Sequence, residues 1–460
     1  MIGAPGAACC TDLCSTCIEL KLEHPIVVRG PSQNEPDAPV SIIQLPNGTF
    51  RGFAANAETI AIDGKTPLDL GGASKVVLKP GPKNSPSECG QWLTTLMPVR
   101  DLLYGMIHDE QHCNYNAGET HKSMSIAVSH DEGLTWKVLG QIITGDEGDV
   151  PNAPSGIGDC TAVDGHDGYW YAYCLRPRDW KNIAARAPHD APTPGKWMEW
   201  DGVGWHEPGL GGMAAPLIPT AGMSAAYWTG IGAVILLNAA DTSLQLSVSK
   251  NKVDFDTLPE PLIPYDTGTW KRPALTELYA YPAMIADKGL NNISHKFFLA
   301  YMYIPPGQDF TQRYLVMQEG RIDRSPVPRS PQVRTALARW VTPQRVTWTT
   351  RGPAISAGHS YTYDRGLGYL MTAAPDDSDS VELDECFSPQ TGVGFLAEAG
   401  KCPPEGSARR RTAGYVFRHH QSGTMALIGC VKKDGTRFVS NRPDCENAGT
   451  RERLLGFAFQ

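Results

Sequence analysis

Hydrophobic residues along this chain fall in short runs, rich in aromatic and β-branched side chains, that alternate with polar turn residues. Stretches with the longer period of an amphipathic helix are scarce. Short runs bounded by Gly, Pro, Asn and Asp predict β-strands joined by tight turns. The 47 glycines and 37 prolines supply many such turns. The pattern therefore predicts an all-β protein.

The predicted strands recur in one order: an inner strand, a turn and an aromatic second strand. Residues 39–56 form the first such hairpin, closed by Pro46, Asn47 and Gly48, and residues 158–176 repeat the plan. Five units at a spacing of roughly 50 to 60 residues predict a five-bladed β-propeller over residues 31–325. A β-sandwich is the alternative, but it would not explain why the same order recurs.

The hairpin turn at residues 129–136 fills the pattern S-x-D-x-G-x-T-W. Asp131 is expected to hydrogen-bond the backbone of its own turn, and Gly133 to adopt a positive φ. Trp136 should then fold back over the hairpin. This pattern resembles the Asp-box of sialidase-type propellers, which implies the fold and no particular chemistry. True sialidases also carry an early Arg-Ile-Pro sequence that is missing here, so sialidase activity is not expected.

The end of the chain has a different style. Residues 385–417 and 429–459 share one order: Cys, a Gly turn, Phe-aliphatic, Cys, a charged loop and Gly-aromatic-x-Phe. Residues 358–372 look like an eroded third copy. These copies resemble a small repeat module appended to secreted bacterial proteins, with trefoil-like symmetry. The predicted organisation is a cysteine-rich segment (1–30), the propeller (31–325), a linker (326–349) and a repeat module (350–460). The module is either a carbohydrate-binding accessory or a stabilising cap.

The 12 cysteines indicate an oxidising compartment,. Eight of them form local couples, each across one hairpin or loop, which predicts the disulfides Cys89–Cys113, Cys160–Cys174, Cys386–Cys402 and Cys430–Cys445. The other four are crowded near the start of the chain and predict two further disulfides, with a metal site as the alternative: Cys9, Cys10, Cys14 and Cys17. No signal peptide is visible. We therefore expect a mature or trimmed secreted chain, extracellular or periplasmic.

Charge and hydropathy limit the partners of this protein. The formal net charge is −8, and the one run of three basic residues, 409–411, is interpreted as a solvated loop,. No apolar stretch of about 20 residues is long enough to cross a membrane. We therefore expect a monomer that binds carbohydrate, with no nucleic acid and no membrane span. No cofactor or catalytic metal is expected, although a structural calcium ion is compatible with the sequence.

In a propeller, inner strands start and second strands end at the same face, where the central funnel opens. Asp37, Glu88 and Asp159 stand at predicted inner-strand starts, and His108 and Glu110 end a second strand. We predict these five as catalytic residues. The run H-D-E-x-H could hold a metal on one side of a strand, but the helical H-E-x-x-H spacing of zinc proteases is absent. The predicted substrate-binding residues are Asn56, Trp92, His112, Lys122, Arg176 and Tyr281.

Three carboxylates from successive inner strands resemble the arrangement in five-bladed propeller glycoside hydrolases of the arabinanase and fructosidase type. The resemblance implies that Asp37 is the base or nucleophile, Glu88 tunes pKa values, and Asp159 is the acid. The acid of that family is usually Glu, so Glu110 is the alternative. Cleavage of an acetal requires one protonated and one ionised carboxyl group, which a cluster of carboxylates can supply. Retaining and inverting chemistry both stay open.

Two other functions fit the same residues. In a polysaccharide lyase, His108 or His112 with Tyr115 would abstract a proton from a uronate, whose carboxylate Arg176 or Lys122 would neutralise. A carbohydrate-binding propeller without activity is the third hypothesis. The expected function is a secreted glycoside hydrolase acting on a poly- or oligosaccharide.

Overall fold

A computed structural model of the chain describes residues 17–217, 223–266, 272, 275–325, 333–375, 379–403 and 406–460. Among these residues there is no α-helix, and a 3-10 helix spans Cys445–Asn447. The all-β prediction is confirmed. The predicted pairings of Cys9, Cys10 and Cys14 lie outside the described residues.

Two strands near the start of the chain precede the first separate sheet. They are β1 (Ile18–Leu22) and β2 (Ile26–Ser32). The first separate sheet has four antiparallel strands in sequential order. Its strands are β3 (Ser41–Gln44), β4 (Phe50–Asn56), β5 (Glu58–Gly64) and β6 (Ser74–Leu78).

Three more separate sheets follow along the chain, each starting with its inner strand. The second contains β7 (Gly90–Val99), β8 (Leu102–Asn114), β9 (Glu119–Ser129), β10 (Lys137–Thr144) and β11 (Pro154–Gly156). The third contains β12 (Gly158–Asp164), β13 (Tyr169–Arg176), β14 (Lys181–Pro188), β15 (Met198–Glu199) and β16 (Glu207–Pro208). The fourth contains β17 (Met223–Trp228), β18 (Ala233–Ala239), β19 (Ser243–Ser249), β20 (Asp256–Thr257) and β21 (Ile263–Pro264).

The fifth group of strands is not a separate sheet. It consists of β22 (Leu278–Ala286), β24 (Lys296–Ile304) and β25 (Arg313–Arg324), while the intervening β23 (Asn292–Ile293) pairs with β17. Strand β1 pairs with β25 on one side and with β26 (Val333–Val341) on the other, so this group continues into the C-terminal sheet. Of the five predicted blades, four are separate sheets, because β1 joins the fifth group to the C-terminal strands.

The sheets are arranged as a propeller. The inner strands β3, β7, β12, β17 and β22 contact one another in turn, and β22 contacts β3. Hydroxyl side chains tie neighbouring inner strands together, since Thr95 Oγ1 accepts from the Ala162 N–H at 3.0 Å and Thr161 Oγ1 from the Ala225 N–H at 2.8 Å. A cavity of about 20 Å³ remains on the axis, lined by residues of all five inner strands. That volume accommodates about one water molecule, so the axis is a packed core and not a channel.

The C-terminal strands form three similar units. A central strand in each, β26, β29 or β32, pairs with two neighbours. The remaining strands are β27 (Thr347–Thr350), β28 (Thr362–Met371), β29 (Ser380–Phe387), β30 (Gly394–Glu398), β31 (Ala408–Phe417), β32 (Thr424–Val431), β33 (Arg437–Ser440) and β34 (Thr450–Phe459). Segment 326–349, expected to be a linker, instead contributes β26 and β27 to the first unit. The segment is not a linker because its apolar strand residues, such as Leu337 and Trp348, are buried.

Strand β31 also corrects the interpretation of the basic run 409–411 as a solvated loop. The Arg411 side chain is fully buried, 3.0 Å from Glu277 and 3.5 Å from Glu385. Its Nη1 also donates to the Tyr279 hydroxyl at 2.6 Å. Glu277 and Tyr279 belong to the fifth propeller group, so a buried polar network joins the C-terminal units to the propeller.

Local features of the sequence are found as expected. All four predicted disulfides are formed. In the turn at residues 129–136, Asp131 accepts from the Thr135 N–H at 2.9 Å, and Gly133 has a φ of 85°. The Trp136 indole donates to the Gly133 carbonyl at 2.9 Å. Within the described ranges, no helix has the length and apolar character needed to span a membrane.

Candidate active site

The candidate site lies where the second strand of the second sheet approaches the start of the inner strand of the third. Alternation along β8 puts His108 and Glu110 on one face, and both are buried,. Asp109 faces the other way, and burial raises its pKa to about 6. The Trp92 ring packs against the His108 ring, with 5.4 Å between their centroids. Trp92 is thus a buried support for His108 and not an exposed sugar platform.

His108 connects the two sheets through its two ring nitrogens. Its Nδ1 lies 3.0 Å from the Asp159 backbone N–H, which is an obligate donor, so Nδ1 carries no proton,. Nε2 therefore carries the proton in a neutral ring and donates to Glu110 Oε1 at 3.2 Å. Gly158 makes this approach possible, since a Cβ there would lie 2.5 Å from His108 Cε1. His108 is thus a positioning residue for Glu110 and Asp159.

Lys122 carries a positive charge into the middle of the site. Its Nζ lies 2.7 Å from Asp159 Oδ2 and 3.3 Å from Glu110 Oε1. Burial would lower the pKa of Lys122, but the two carboxylates raise it above its usual value. Burial would likewise raise the pKa values of Glu110 and Asp159, but the Lys122 charge lowers both, and the hydrogen bond from His108 lowers that of Glu110 further. These three side chains are therefore held as two anions around one cation.

Asp37 approaches the same cluster from the first inner strand. Its Oδ1 lies 3.0 Å from Arg313 Nη1, and it also hydrogen-bonds the Tyr281 hydroxyl. Burial is the largest influence on its pKa, and the charges of Glu110 and Asp159 act in the same direction. Arg313 opposes them, but the pKa of Asp37 is raised overall. The site therefore holds one carboxyl group whose pKa is raised beside two whose pKa values are lowered.

Bulges in two inner strands direct the side chains of this site. Asp159 and Tyr281 both have a φ of 50°, which is uncommon for residues other than glycine,. Each lies where the pairing register of its strand shifts, between Gly158 and Thr161 in β12 and between Ala280 and Ala283 in β22. A bulge re-aims a side chain relative to the regular alternation of a strand. Strained backbone of this kind is concentrated at functional sites.

Several predicted site residues are engaged elsewhere. Glu88 accepts from the backbone N–H groups of Asn84 and His112, and these bonds lower its pKa. His112 Nδ1 lies 2.5 Å from Asp149 Oδ2. Among the described residues, neither Glu88 nor His112 has a side-chain hydrogen bond or ion pair with Lys122, Glu110 or Asp159. Both side chains are thus bound within the protein, and their predicted roles in the site stay predictions.

Arg176 and Asn56 are also bound within the protein. The buried Arg176 guanidinium forms two hydrogen bonds with Asp179, at 3.0 and 2.7 Å, and a third with the Ala214 carbonyl. Asn56 donates to the Gln33 carbonyl. Arg176 is thus satisfied inside its own sheet and does not extend into the funnel.

Two residues that the strand-end rule did not select belong to the site. Arg313 starts the third strand of its group and pairs with Asp37. Tyr115 was selected only for the lyase hypothesis, yet its hydroxyl donates to Glu110 Oε2 at 2.7 Å while 61% of the residue is exposed. The sequence signal for Tyr115 was its position, as an aromatic residue directly after a second strand. No comparable local signal marks Arg313.

The donor set of this cluster does not require a metal ion. The Lys122 ammonium already lies between the two carboxylates, where a cation would bind. Across the described parts of the chain, no group of three or more His, Cys, Asp and Glu side chains is arranged to hold a metal.

Comparisons with known proteins give similarities of fold. No protein-family model matches the chain, and neither does any curated protein. Among solved structures, Zg3597, a family 117 glycoside hydrolase of Zobellia galactanivorans, is 12% identical with a TM-score of 0.44, covering 69% of this chain and 94% of that one. The α-L-arabinofuranosidase PaAbf62A of Podospora anserina is 11% identical with a TM-score of 0.42, covering 68% and 100%.

An endo-arabinase of Bacteroides thetaiotaomicron is 15% identical with a TM-score of 0.40, covering 64% of this chain and 96% of that one. Glycoside hydrolases, the class that the sequence resembles, are thus among the solved structures similar to this chain. At these values no activity is taken from them.

Proposed function

We propose that this protein is a secreted glycoside hydrolase that cleaves a poly- or oligosaccharide by carboxyl acid–base chemistry. The observation that carries the proposal is a cluster of three carboxyl groups in different surroundings: Asp159 and Glu110 lie 2.7 and 3.3 Å from the Lys122 ammonium, and Asp37 lies 3.0 Å from Arg313. Burial raises the pKa of Asp37, whereas the Lys122 charge outweighs burial and lowers the pKa values of Asp159 and Glu110. Carboxyl groups whose environments separate their pKa values are the usual means of cleaving an acetal near neutral pH. The four disulfides support an oxidising, extracytoplasmic compartment,.

The contacts favour roles opposite to those that the family resemblance implied. Asp159 accepts a hydrogen bond from the Lys122 ammonium, so a proton on its carboxylate is strongly disfavoured. Arg313 Nη1 is close to Asp37 but makes no hydrogen bond of good geometry with it. We therefore assign Asp37 as the acid and Asp159 as the base or nucleophile. Asp37 would protonate the leaving glycosidic oxygen, and water would add its oxygen to the anomeric carbon, either directly or by cleaving a glycosyl–Asp159 ester. The proton that this water loses would pass to Asp159 in the first case and to Asp37 in the second.

The lyase hypothesis has less support. Although most of the Tyr115 side chain is exposed, its hydroxyl is bound to Glu110; burial at that end, and then the Glu110 charge, raise the pKa of Tyr115 above its usual value, which disfavours a phenolate base. Arg176, chosen to neutralise a uronate, is already bound to Asp179. His108 has both ring nitrogens in hydrogen bonds within the protein.

A glycan panel with a reducing-end assay tests the proposal. We expect Asp37→Asn and Asp159→Asn each to lower kcat by about 10²- to 10⁴-fold, the usual contribution of one acid or base. Asp379→Asn is the matched control. Asp379 lies in the C-terminal units, far along the chain from the candidate site, where it is exposed and pairs with Arg418. Near-normal activity in both site variants would refute the assignment. Products that absorb as unsaturated uronates would establish a lyase instead, and binding without cleavage would establish a non-catalytic propeller.

A further inference from the structure

Two buried arginines lie beside the loop that follows β24, and neither is fully hydrogen-bonded within the described part of the chain. Arg272 is 4% exposed; its Nε donates to the Thr276 carbonyl at 2.8 Å and its Nη2 to the Pro305 carbonyl at 3.4 Å, but its Nη1 has no hydrogen-bond partner among the described residues. Arg313 is 9% exposed, and its Nε and Nη1 likewise have no hydrogen bond to a described residue. Buried guanidinium N–H groups are normally satisfied, so such atoms indicate a missing acceptor.

One aromatic ring connects these arginines. The Phe310 ring centroid lies 5.5 Å from the Arg272 guanidinium carbon and 5.7 Å from that of Arg313. Phe310 is 37% exposed and lies in the loop between β24 and β25, which opens at the funnel face. Arg313 is also 3.0 Å from Asp37, so the contacts run from the proposed acid through Arg313 and the Phe310 ring to Arg272.

The local anions leave these cations incompletely neutralised. Asp309 influences Arg272, but it is exposed and its Oδ1 accepts from the Thr311 backbone at 2.8 Å. Burial lowers the pKa of Arg272, as expected for a cation without a close counter-ion. Asp37 is the neighbour of Arg313, at 3.0 Å from Nη1, but this contact leaves Nη1 without a hydrogen bond among the described residues. A ligand that brings its own anion would complete both groups.

We propose that Arg272 and Arg313 bind the carboxylate of an acidic sugar, with Phe310 stacked on the sugar ring, so that the substrate is a uronate-containing glycan. This inference rests on the proposed hydrolase function. The planar fork of a guanidinium matches a carboxylate in two parallel hydrogen bonds, which gives geometric specificity as well as affinity. A sulfate ester offers similar chemistry and is distinguished by the test.

The experiment compares uronate-containing oligosaccharides with the same molecules after chemical reduction of their carboxyl groups, which keeps the linkages and removes the charge. We expect the unaltered protein to prefer the acidic form by about 10- to 100-fold in kcat/KM, the worth of charge-assisted hydrogen bonds. Arg272→Gln should remove most of that ratio. Arg418→Gln, on the exposed pair with Asp379, should retain it.

Several outcomes would overturn the inference. Equal turnover of acidic and reduced substrates by the unaltered protein would refute it and leave the hydrolase proposal standing. A preference that survives carboxyl reduction but is lost on desulfation would refute the carboxylate assignment. If Arg272→Gln does not fold, two tests of the carboxylate site remain. Arg272→Lys keeps the charge but loses the planar fork. The comparison of acidic and reduced substrates on the unaltered protein needs no variant.

A binding measurement separates this inference from the proposed activity. Calorimetric titration with glucuronate and with glucose needs no turnover. Binding of glucuronate over glucose, weakened in Arg272→Gln, would support the carboxylate site even if no glycan is cleaved. Equal or absent binding of both sugars together with equal turnover would refute it.

Discussion

Replacing Arg411 with methionine should destabilise the whole protein, because its guanidinium is the centre of the contact between propeller and C-terminal units. The side chain is fully buried, and Glu277 and Glu385 lie within 3.5 Å of it with exposures of 5% and 0%. Tyr279 and Tyr303 hydroxyls also accept hydrogen bonds from it. Methionine fills a similar space but leaves both carboxylates buried without this partner.

Removing one partner of a buried ion pair costs about 3–5 kcal/mol. Unfolding entropy is about 2.1 cal/mol/K per residue, so for 460 residues this loss corresponds to a fall in Tm of about 3–5 °C,. If the propeller and the C-terminal units unfold separately, the same loss of free energy acts on the smaller unfolding entropy of the C-terminal units, so the fall in their Tm is larger. The fall should therefore be easily measured.

Differential scanning calorimetry checks this prediction against a surface pair. Arg418→Met breaks the ion pair with Asp379, whose partners are 51% and 54% exposed. Exposed pairs contribute about 0–1 kcal/mol, so this control should shift Tm by about 1 °C or less. A shift for Arg411→Met no larger than that of the control would show that the buried network does not stabilise the junction.

Three further predictions concern other parts of the molecule. Gly158→Ala should lower activity more than stability in paired kinetic and unfolding assays, since the added Cβ would lie 2.5 Å from His108 Cε1. Burial, then Glu207, raises the pKa of the buried Glu199 to about 8. Because the unfolded group ionises first, stability should fall between about pH 4.5 and 8 by roughly 5 kcal/mol, and Glu199→Gln should abolish this fall in urea titrations; equal slopes would contradict the shift. Asp131→Ala removes two hydrogen bonds to Thr135 and should cost about 1 kcal/mol in the same titrations, whereas no loss would indicate an unimportant turn,.

The buried network also changes how the C-terminal units should be regarded. Sequence repeats suggested a separable module, and its disulfides do close within single units. Deleting it would nevertheless uncover Glu277 and Tyr279 and remove the strand pairing between β1 and β26. We expect the truncated propeller to be less soluble and less stable than the full chain.

Features that depend on neighbouring residues were predictable from the sequence. The alternation of strand residues predicted the all-β fold, and the disulfides join cysteines only 14 to 24 positions apart. The turn around Asp131 is likewise formed by residues within one short segment. The strand-end rule also placed Asp37, His108, Glu110 and Asp159 at the funnel, since it follows from chain direction alone.

Charge states and long-range pairings were decided by the tertiary structure. Lys122 and Asp159 are 37 positions apart and Asp37 and Arg313 far more, yet these pairs control which carboxyl groups are ionised. Glu88 satisfied the same strand-end rule but is bound by its own loop. The fifth group of strands is joined to the C-terminal sheet because β1 pairs with both β25 and β26. No local sequence pattern predicts the pairing of β1 with β26. A local pattern encodes strand period and turn geometry, whereas burial and Coulomb interactions depend on distances between residues that only the folded chain brings together.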